Sequence, residues 1–433
     1  MDVVIVCPVF PPEPVVSAQT SYQVAEEMAR RGHRVRVITA FPNRPAGILY
    51  PGFRRRLYQK QSDPAGFEII RCFSLFSSES SISNRFLENF SFGVSSSLLL
   101  LFGHRADVIY SLSWPIVAAG LLSLVARLRC TPVVGNLQDI YPESLISQSR
   151  VNANNWIVRL LRQVDGWIAR GFHALILISE RFVDTYRRER QVPAEKIHVI
   201  PNWVNSVPAE TAPDDYSPYR QSRGIAKDTF LVVYGGNIGV AAGVEGILGA
   251  LRSSHTPKNL TLLVAGSGSQ LEICKKLADE LPEGQVLFHS PWEKESTYDV
   301  LRAANLLILP TRGDQSLVSV PSKLISYLLA ARPIVAQAWA DSEIAHIITQ
   351  AGCGWVVAPE HPEHLATLFN EIATLPATVL KQKGQAGREY ALDNLTTEVN
   401  VPLVAQILEN SALGKRNPHE QRTGATTDPK LPL

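Results

Sequence analysis

The chain has 433 residues, of which 45% are apolar and 19% charged, and its formal net charge is +2 at pH 7. This length and composition suffice for the cores of two ordinary globular domains and exclude a disordered or fibrous protein. The five cysteines are scattered and never spaced as C-x-x-C. That pattern argues against a disulfide framework or a structural zinc site and favours a reducing cytoplasm.

The small net charge hides an asymmetry between the two halves of the chain. Residues 1–200 hold 23 Lys and Arg against 16 Asp and Glu, whereas residues 201–433 hold 19 against 24. The basic half includes two clusters: Arg54, Arg55, Arg56 and Lys60, and Arg187, Arg188 and Arg190. Such clusters attract an anionic membrane surface or a phosphorylated acceptor, although solvated helix faces would look the same.

The first half alternates short apolar runs with amphipathic stretches. The chain begins MDVVIVCPVF without a basic leader, so its apolar start predicts a β-strand over 3–7 and not a signal peptide. A helix over 19–31 and a strand over 35–39 complete a βαβ unit. Five further strands are predicted, over 68–72, 108–111, 132–136, 174–178 and 197–200. The pattern indicates a doubly wound parallel sheet.

Two apolar stretches of the first half approach the length of a membrane span. Residues 108–126 are all uncharged, but serines, a proline and a glycine interrupt them, which favours a buried strand, a turn and a core helix. Residues 86–102 are rich in Phe and Leu and too short to cross a bilayer. They predict a core helix, with an interfacial helix as the alternative.

A proline-rich stretch over 201–218 separates the two halves and reads as a linker. Six buried strands are predicted after it, over 230–234, 260–265, 286–288, 306–309, 334–336 and 354–357. The predicted organisation is a Rossmann-like domain over 1–205, a linker over 206–222, a second Rossmann-like domain over 223–395, a helix over 396–412 that can return to the first domain, and a disordered tail over 413–433. Two such α/β domains would face each other across a central cleft that holds the ligand.

Glycine-rich turns follow the first two strands of the second domain. The first contains Gly235, Gly236, Asn237 and Gly239, and the second contains Gly266, Ser267 and Gly268. Glycines at a strand-to-helix turn let backbone N–H groups approach a phosphate, and the following helix N-terminus favours negative charge. Each turn alone can be purely structural. Two on adjacent strand ends favour a phosphate or nucleoside site.

Pro321, Ser322 and Lys323 stand where the last apolar helix before strand 334–336 begins. We expect Ser322 to cap this helix and Lys323 to add a positive charge suited to a diphosphate. A capped helix with a surface lysine is the structural alternative. In the first domain, the loop 8–17 carries Pro12 and Ser17.

The segment GNLQDIYPES places Asp139 and Glu143 after another strand of the first domain. Carboxylates at that edge can accept a proton from a hydroxyl or bind sugar hydroxyls. Helix-capping and turn residues would have the same sequence pattern, so both readings stay open.

Seven segments together resemble glycosyltransferase family 4, with the GT-B fold, and within it the bacterial exopolysaccharide or colanic-acid branch. They are FPPEPVVSAQTSYQVAEEMARRGHRVRVIT, NLQDIYPES, VIPNWVN, YGGNIGVAAGVEGIL, VAGSGSQL, AANLLILPTRGD and PSKLISYLLAARPIVA. The resemblance covers roughly residues 1–410, and it is carried by the order and spacing of the segments.

The resemblance implies a sugar transfer from a nucleotide-sugar donor to a lipid-linked or oligosaccharide acceptor, with retention of the anomeric configuration and no bound metal or other cofactor. The second domain would hold the donor. Its diphosphate would meet residues 236–239 and Lys323, and its base would lie near residues 266–268. The first domain would hold the acceptor through Pro12, Ser17, Asp139 and Glu143, with Lys323 and Asp139 as catalytic residues. Such an enzyme works in the cytoplasm or peripherally on the inner membrane face.

This sequence departs from the family pattern at several positions. The E-x7-E pair falls on Val318 and Ser326, the Arg and Lys after the glycine turn fall on Val240 and on Ala242 or its neighbour, and the first-domain histidine falls near Ser113. A catalytically silent GT-B scaffold that binds a nucleotide or a partner enzyme is therefore the alternative function. A nucleotide-sugar epimerase on the same fold is a more distant one.

Overall fold

The computed structural model describes residues 1–44, 46–78, 81–112, 116–147, 155–206, 218–293, 296–318, 320–359 and 361–414. The chain divides into two compact units. The first comprises Met1–Tyr141, Asn154–Pro201 and Asn400–Leu433, and the second comprises Pro142–Ala153 and Asn202–Val399.

The first unit is built on an eight-stranded sheet in the order β3-β4-β2-β1-β5-β6-β7-β8. Its strands are β1 (Asp2–Cys7), β2 (Arg34–Ala40), β3 (Tyr58–Ser62), β4 (Glu68–Cys72), β5 (Val108–Leu112), β6 (Val133–Leu137), β7 (Ala174–Leu177) and β8 (Ile197–Val199). Seven of them are the predicted parallel strands. The edge strand β3 was not predicted because its sequence, YQKQS, contains no apolar run; it pairs antiparallel with β4.

The helices of this part of the chain are α1 (Val16–Arg30), α2 (Ile82–Phe102), α3 (Ile116–Leu128), α4 (Glu143–Ser147), α5 (Trp156–Gly171) and α6 (Glu180–Asp184), and a π-helical turn spans Thr185–Glu189. α4 falls in the second unit. The predicted strand and core helix within 108–126 are confirmed as β5 and α3. The strand order and the right-handedness of parallel crossovers together predict α2, α3 and α5 on the sheet face opposite α1.

One of the predicted basic clusters is not a uniform surface feature. Arg187 and Arg188 are exposed, but the Arg190 side chain is only 2% exposed and bonds the Asp165 carboxylate at 3.0 Å. It also donates to the backbone carbonyl of Tyr141. Arg190 therefore joins α5 to the neighbouring loop as a structural residue.

The second unit holds a six-stranded parallel sheet in the order β11-β10-β9-β12-β13-β14. Its strands, all predicted, are β9 (Phe230–Gly235), β10 (Leu260–Ala265), β11 (Val286–His289), β12 (Leu306–Pro310), β13 (Ile334–Gln337) and β14 (Gly354–Val357). Leu231 and Val233 of β9 join one apolar cluster, and Val232 and Tyr234 join another. Alternate residues thus enter cores on opposite faces, which is why these strands read as continuous apolar runs.

The remaining helices are α7 (Pro218–Ser222), α8 (Val244–Leu251), α9 (Leu271–Ala278), α10 (Thr297–Arg302), α11 (Gln315–Val318), α12 (Lys323–Leu329), α13 (Glu343–Gln350), α14 (Pro362–Ala373), α15 (Ala377–Asn394) and α16 (Thr397–Ala412). α7 lies inside the stretch predicted as linker, and the Arg220 guanidinium is buried against the carbonyl of Ala303 at 2.7 Å. Residues 207–217 of that stretch, Ser113, and the predicted tail beyond Gly414 lie outside the described residues.

None of the helices in the described ranges combines the length and the apolar character that a membrane crossing requires.

Candidate active site

The two predicted glycine turns of the second unit pack directly against each other. The Gly236 N–H donates to the carbonyl of Ala265 at 2.9 Å, and the Ile238 N–H donates to that of Ser267 at 2.9 Å. Gly236 and Gly266 have φ values of +148° and +142°, which L side chains rarely adopt. A Cβ on Gly266 would lie 1.9 Å from the Gly236 carbonyl oxygen. Both positions therefore require glycine, and the turns form one backbone surface at the carboxyl ends of β9 and β10.

Two buried tyrosines, which the sequence alone did not single out, hold this backbone surface in place. The Tyr327 hydroxyl accepts a hydrogen bond from the Gly235 N–H at 2.7 Å and donates to the Gly235 carbonyl at 3.1 Å. The Tyr234 hydroxyl donates to the Asn237 carbonyl at 2.6 Å. These bonds hold the first turn on its buried side, and the side chain of Asn237 is exposed to solvent.

Lys323 reaches the glycine turn from the first residue of α12. Its ammonium donates to the Tyr234 hydroxyl at 2.7 Å and lies 4.6 Å from the centre of that ring. A Cβ on Gly236 would stand 3.2 Å from its Nζ atom. Desolvation lowers the pKa of Lys323 from 10.5 to about 8. No described carboxylate forms an ion pair with it. A half-buried cation without an anionic partner is therefore aimed at the backbone surface.

The prediction for Ser322 as a helix cap is wrong. Its backbone already has helical dihedral angles, φ −58° and ψ −23°, and its side chain accepts no bond from the helix amides. A cap residue needs extended dihedral angles for its hydroxyl to reach the free N–H groups. Pro321 and Ser322 are both half-buried where α12 begins.

Arg312, a basic residue beside the glycine turns, was not among the predicted site residues. It follows β12, the neighbour of β9, and its N–H donates to the Ala241 carbonyl at 3.3 Å. Its side chain is 63% exposed, and its guanidinium lies 3.8 Å from a Glu245 carboxylate oxygen in the first turn of α8. Its position at the end of a strand adjacent to the glycine turn was the available signal. Val240 is 51% exposed and apolar, so the usual basic side chain is absent there.

The first unit contains a pocket of about 260 Å³ at the carboxyl ends of β1, β2 and β5. Of the residues predicted to hold an acceptor, Ser17 and Asp139 line it. The other described lining residues are Pro8, Val9, Val15, Ala40, Arg44, Ser74, Glu88, Asn89, Phe92, Leu112 and Gln138. Pro12 is exposed and does not line the pocket, and Glu143 begins α4 in the second unit.

Asp139 is open to solvent at the pocket, yet the protein around its carboxyl raises its pKa by desolvation. The pocket also holds the pair Arg44–Glu88, whose charged atoms are 2.7 Å apart. Asp139 is thus an accessible carboxylate with an increased proton affinity, which suits a group that accepts a proton from a bound hydroxyl.

Glu13 fixes the loop that precedes α1, the helix whose first turn carries Ser17. Its carboxylate accepts from the backbone N–H groups of Phe10 at 3.1 Å, Asn43 at 2.9 Å and Arg44 at 2.8 Å. Burial raises the pKa of Glu13 to about 7, although the hydrogen bonds from Asn43 and Phe10 act to lower it. The side chain therefore joins the loops after β1 and β2, the two loops that border the pocket.

The residues that the structure describes contain no group of three His, Cys, Asp or Glu arranged to hold a metal ion. The positive charge that the described site presents comes from the side chains of Lys323 and Arg312.

Comparisons with known proteins agree with this architecture. Residues 17–203 match the glycosyl transferase 4-like domain, and residues 229–374 match the glycosyl transferases group 1 domain. The chain is 24% identical over 397 residues to the putative colanic acid biosynthesis glycosyl transferase WcaI of Escherichia coli, covering 90% of this chain and 95% of WcaI. It is 25% identical over 291 residues to the probable glycosyltransferase WbjE of Pseudomonas aeruginosa, covering 64% and 71%.

Two solved structures show the same fold. WaaG, a glycosyltransferase involved in lipopolysaccharide biosynthesis, superposes with a TM-score of 0.65 at 20% identity over 94% of this chain and 99% of its own. Anabaena Alr3699/HepE in complex with UDP superposes with a TM-score of 0.67 at 15% identity over 95% and 100%. The fold and the matched domains define a glycosyltransferase of the GT-B type. The chain belongs to glycosyltransferase family 4, as its sequence predicts, and its relative WcaI bears the name of the expected colanic-acid branch.

Proposed function

We propose that this enzyme moves a sugar from a nucleotide-sugar donor to a lipid-linked saccharide acceptor during surface polysaccharide assembly, with retention of the anomeric configuration. The single observation that carries the donor assignment is Lys323, whose ammonium adjoins Gly236 without a described carboxylate partner. The related HepE structure contains UDP, and others of the same protein contain glucose or UDP-glucose, so a uridine nucleotide is the first donor to test.

In the proposed reaction the bond between the anomeric carbon and the diphosphate oxygen breaks, and the acceptor hydroxyl oxygen bonds to that carbon. The nucleoside diphosphate leaves with the electron pair and gains negative charge. Lys323 stabilises that charge, because a fixed donor in a desolvated site acts most strongly where charge develops. Arg312 supplies the second cation in place of the basic side chains missing at Val240 and Ala242.

The acceptor saccharide is proposed to enter the pocket of the first unit. Asp139 accepts the proton released by the acceptor hydroxyl, directly or through the leaving phosphate, while Ser17 bonds a sugar hydroxyl. No metal or cofactor takes part in this proposal, and the nucleotide sugar is a substrate. The lipid carrier of the acceptor would bring the enzyme to the inner face of the plasma membrane.

The test is calorimetric titration of the purified protein with UDP, GDP and ADP, with Lys323→Met in parallel. A point charge bonded to a diphosphate contributes about 1.5–3 kcal/mol, so the variant should lose roughly 10- to 100-fold in affinity for the preferred nucleotide. Lys276→Met, an exposed lysine on α9, is the matched control. If the folded protein binds none of the three nucleotides, the donor assignment fails and the scaffold alternative replaces it.

A further inference from the structure

Three neighbouring helices of the first unit present an unusual apolar surface to solvent. Of the 21 exposed large hydrophobic side chains in the described chain, twelve lie on α2, α3 and α5. These are Phe86, Leu87, Phe90, Leu98, Phe102, Leu124, Leu128, Trp156, Ile157, Leu160, Val164 and Trp167. We call them the apolar face. Exposed apolar side chains are usually scattered over a soluble protein, and such concentration marks an interaction site.

α3 contacts both α2 and α5, so the helices that carry the apolar face form one layer. α2 and α3 approach closely where a Cβ on Gly93 would lie 2.8 Å from the Cα of Ala118. α3 and α5 meet where the Arg127 guanidinium stacks 4.9 Å from the Trp167 ring.

α2 has two apolar sides with different environments. Phe92 and Leu100 are buried in the unit, whereas Phe86, Phe90 and Phe102 are exposed. At about 100° per residue the exposed residues span an arc of roughly 160°, so they occupy one side of the helix and the buried residues the other. The sequence alternatives for this segment, core or interfacial helix, therefore each describe one of its sides.

α5 reinforces the same surface with two tryptophans. Trp156 is 70% exposed and Trp167 is 38% exposed, while Val158 and Ile168 are buried. Tryptophan combines a large apolar ring with an N–H donor and is enriched at the boundary between water and lipid.

The charges on these helices are the second observation. Arg127, Arg159 and Arg170 are exposed on α3 and α5. The three helices contain just two carboxylates, Glu88 and Asp165. Glu88 bonds Arg44 and Arg85, and Asp165 bonds the buried Arg190. Exposed arginines therefore border the apolar face, and the two carboxylates of these helices are already paired with other arginines.

We infer that the apolar face docks the enzyme on an anionic phospholipid bilayer, with the aromatic and leucine side chains entering the acyl boundary and the arginines contacting lipid phosphates. The apolar residues match the acyl region of such a bilayer, and the basic residues match its anionic phosphates. A second copy of the chain fits less well, because a two-fold contact of this face with itself would oppose arginines to arginines. The inference rests on the exposed side chains and not on the proposed transfer reaction.

The test is co-sedimentation of the full chain with vesicles of phosphatidylcholine alone and of phosphatidylcholine with phosphatidylglycerol, at low and high salt. We expect binding to the anionic vesicles and its weakening by salt. The triple variant Phe102→Ser, Leu128→Ser, Trp156→Ser should lose at least tenfold in partitioning. Arg159→Gln should lose about fivefold on anionic vesicles only.

The control is Ile273→Ser on α9 of the second unit, which is exposed to a similar extent as Phe90 and should bind vesicles as the unaltered protein does. Nucleotide titration in the absence of vesicles separates this question from the donor assignment. The inference is overturned if the triple variant binds anionic vesicles as well as the unaltered chain, or if neither binds. It is also overturned if the unaltered chain is a dimer in solution that the triple variant dissociates, since a second copy then covers the face.

Discussion

Replacement of Lys323 by methionine separates the stability of the protein from its ligand affinity. The lysine is held in a desolvated position, where the lowering of its pKa from 10.5 to about 8 corresponds to about 3 kcal/mol of destabilisation at pH 7. Methionine removes this cost and fills a similar volume. It also loses the bond to Tyr234 and the ring contact, each of which contributes about 1 kcal/mol. The net expectation is a gain of about 1 kcal/mol in the free energy of unfolding at pH 7.

The pH dependence has a definite sign. The folded-state pKa lies below the unfolded value, so the cost of charging Lys323 is complete below pH 8 and disappears between pH 8 and 10.5. Relative to the variant, the unaltered protein should gain about 1 kcal/mol in stability between pH 7 and pH 9. Its affinity for the nucleoside diphosphate should fall by up to about tenfold over the same interval, because the ammonium loses its proton.

Calorimetric unfolding and nucleotide titration at both pH values measure these effects. One kcal/mol corresponds to about 2–4 °C for a unit of this size. Lys276→Met should change neither the unfolding temperature nor the affinity. The reasoning is refuted if Lys323→Met destabilises the protein strongly at pH 7 while the affinity stays unchanged, since the lysine would then be a structural residue.

Three further outcomes follow from the site geometry. Gly266→Ala forces a Cβ into the Gly236 carbonyl. We therefore expect loss of nucleotide binding, measured by titration, and at least about 2 kcal/mol of destabilisation, measured by denaturant unfolding. The control Gly284→Ala, at a glycine that also has a positive φ but open space around it, should leave binding intact. Arg312→Gln should weaken nucleotide binding about three- to tenfold without loss of stability, because its exposed guanidinium is screened by solvent. Asp139→Asn should reduce turnover with a saccharide acceptor about 100-fold or more and leave the nucleotide affinity unchanged.

Each of these predictions would be contradicted by a different result. Normal nucleotide binding by Gly266→Ala would show that the packed turns are not the phosphate site. An Arg312→Gln enzyme with unchanged affinity and turnover would leave Lys323 as the single proposed side-chain cation. For Asp139, full turnover of the asparagine variant would remove it from the reaction. The acid limb of the unaltered enzyme's activity should lie above the pH range of an ordinary carboxyl group, because the pKa of Asp139 is raised.

Much of the fold could be read from local pattern. The strands of both sheets appear as short apolar runs because helices cover both sheet faces, and that signal is carried by neighbouring residues. β3 gave no such signal, since a polar edge strand is stabilised by backbone pairing with β4 and by polar contacts with it, such as the Lys60–Glu68 ion pair. α7 was hidden for a similar reason, because Arg220 is held by the carbonyl of Ala303, far along the chain.

The same distinction between local sequence pattern and tertiary contacts applies to the candidate site. The sequence indicated the glycine turns, the lysine at the start of α12 and the carboxylate after β6, because ligands of α/β proteins bind at the carboxyl ends of parallel strands; each residue also had a structural interpretation. Tertiary structure alone decided that Lys323 lies against Gly236 with its pKa lowered, that Tyr234 and Tyr327 support the turn, and that Arg312 stands beside α8. The contacts of Lys323, Tyr327 and Arg312 join residues about 70–90 positions apart, and only the packing of parallel strands, which sets the distances and the desolvation, brings them together.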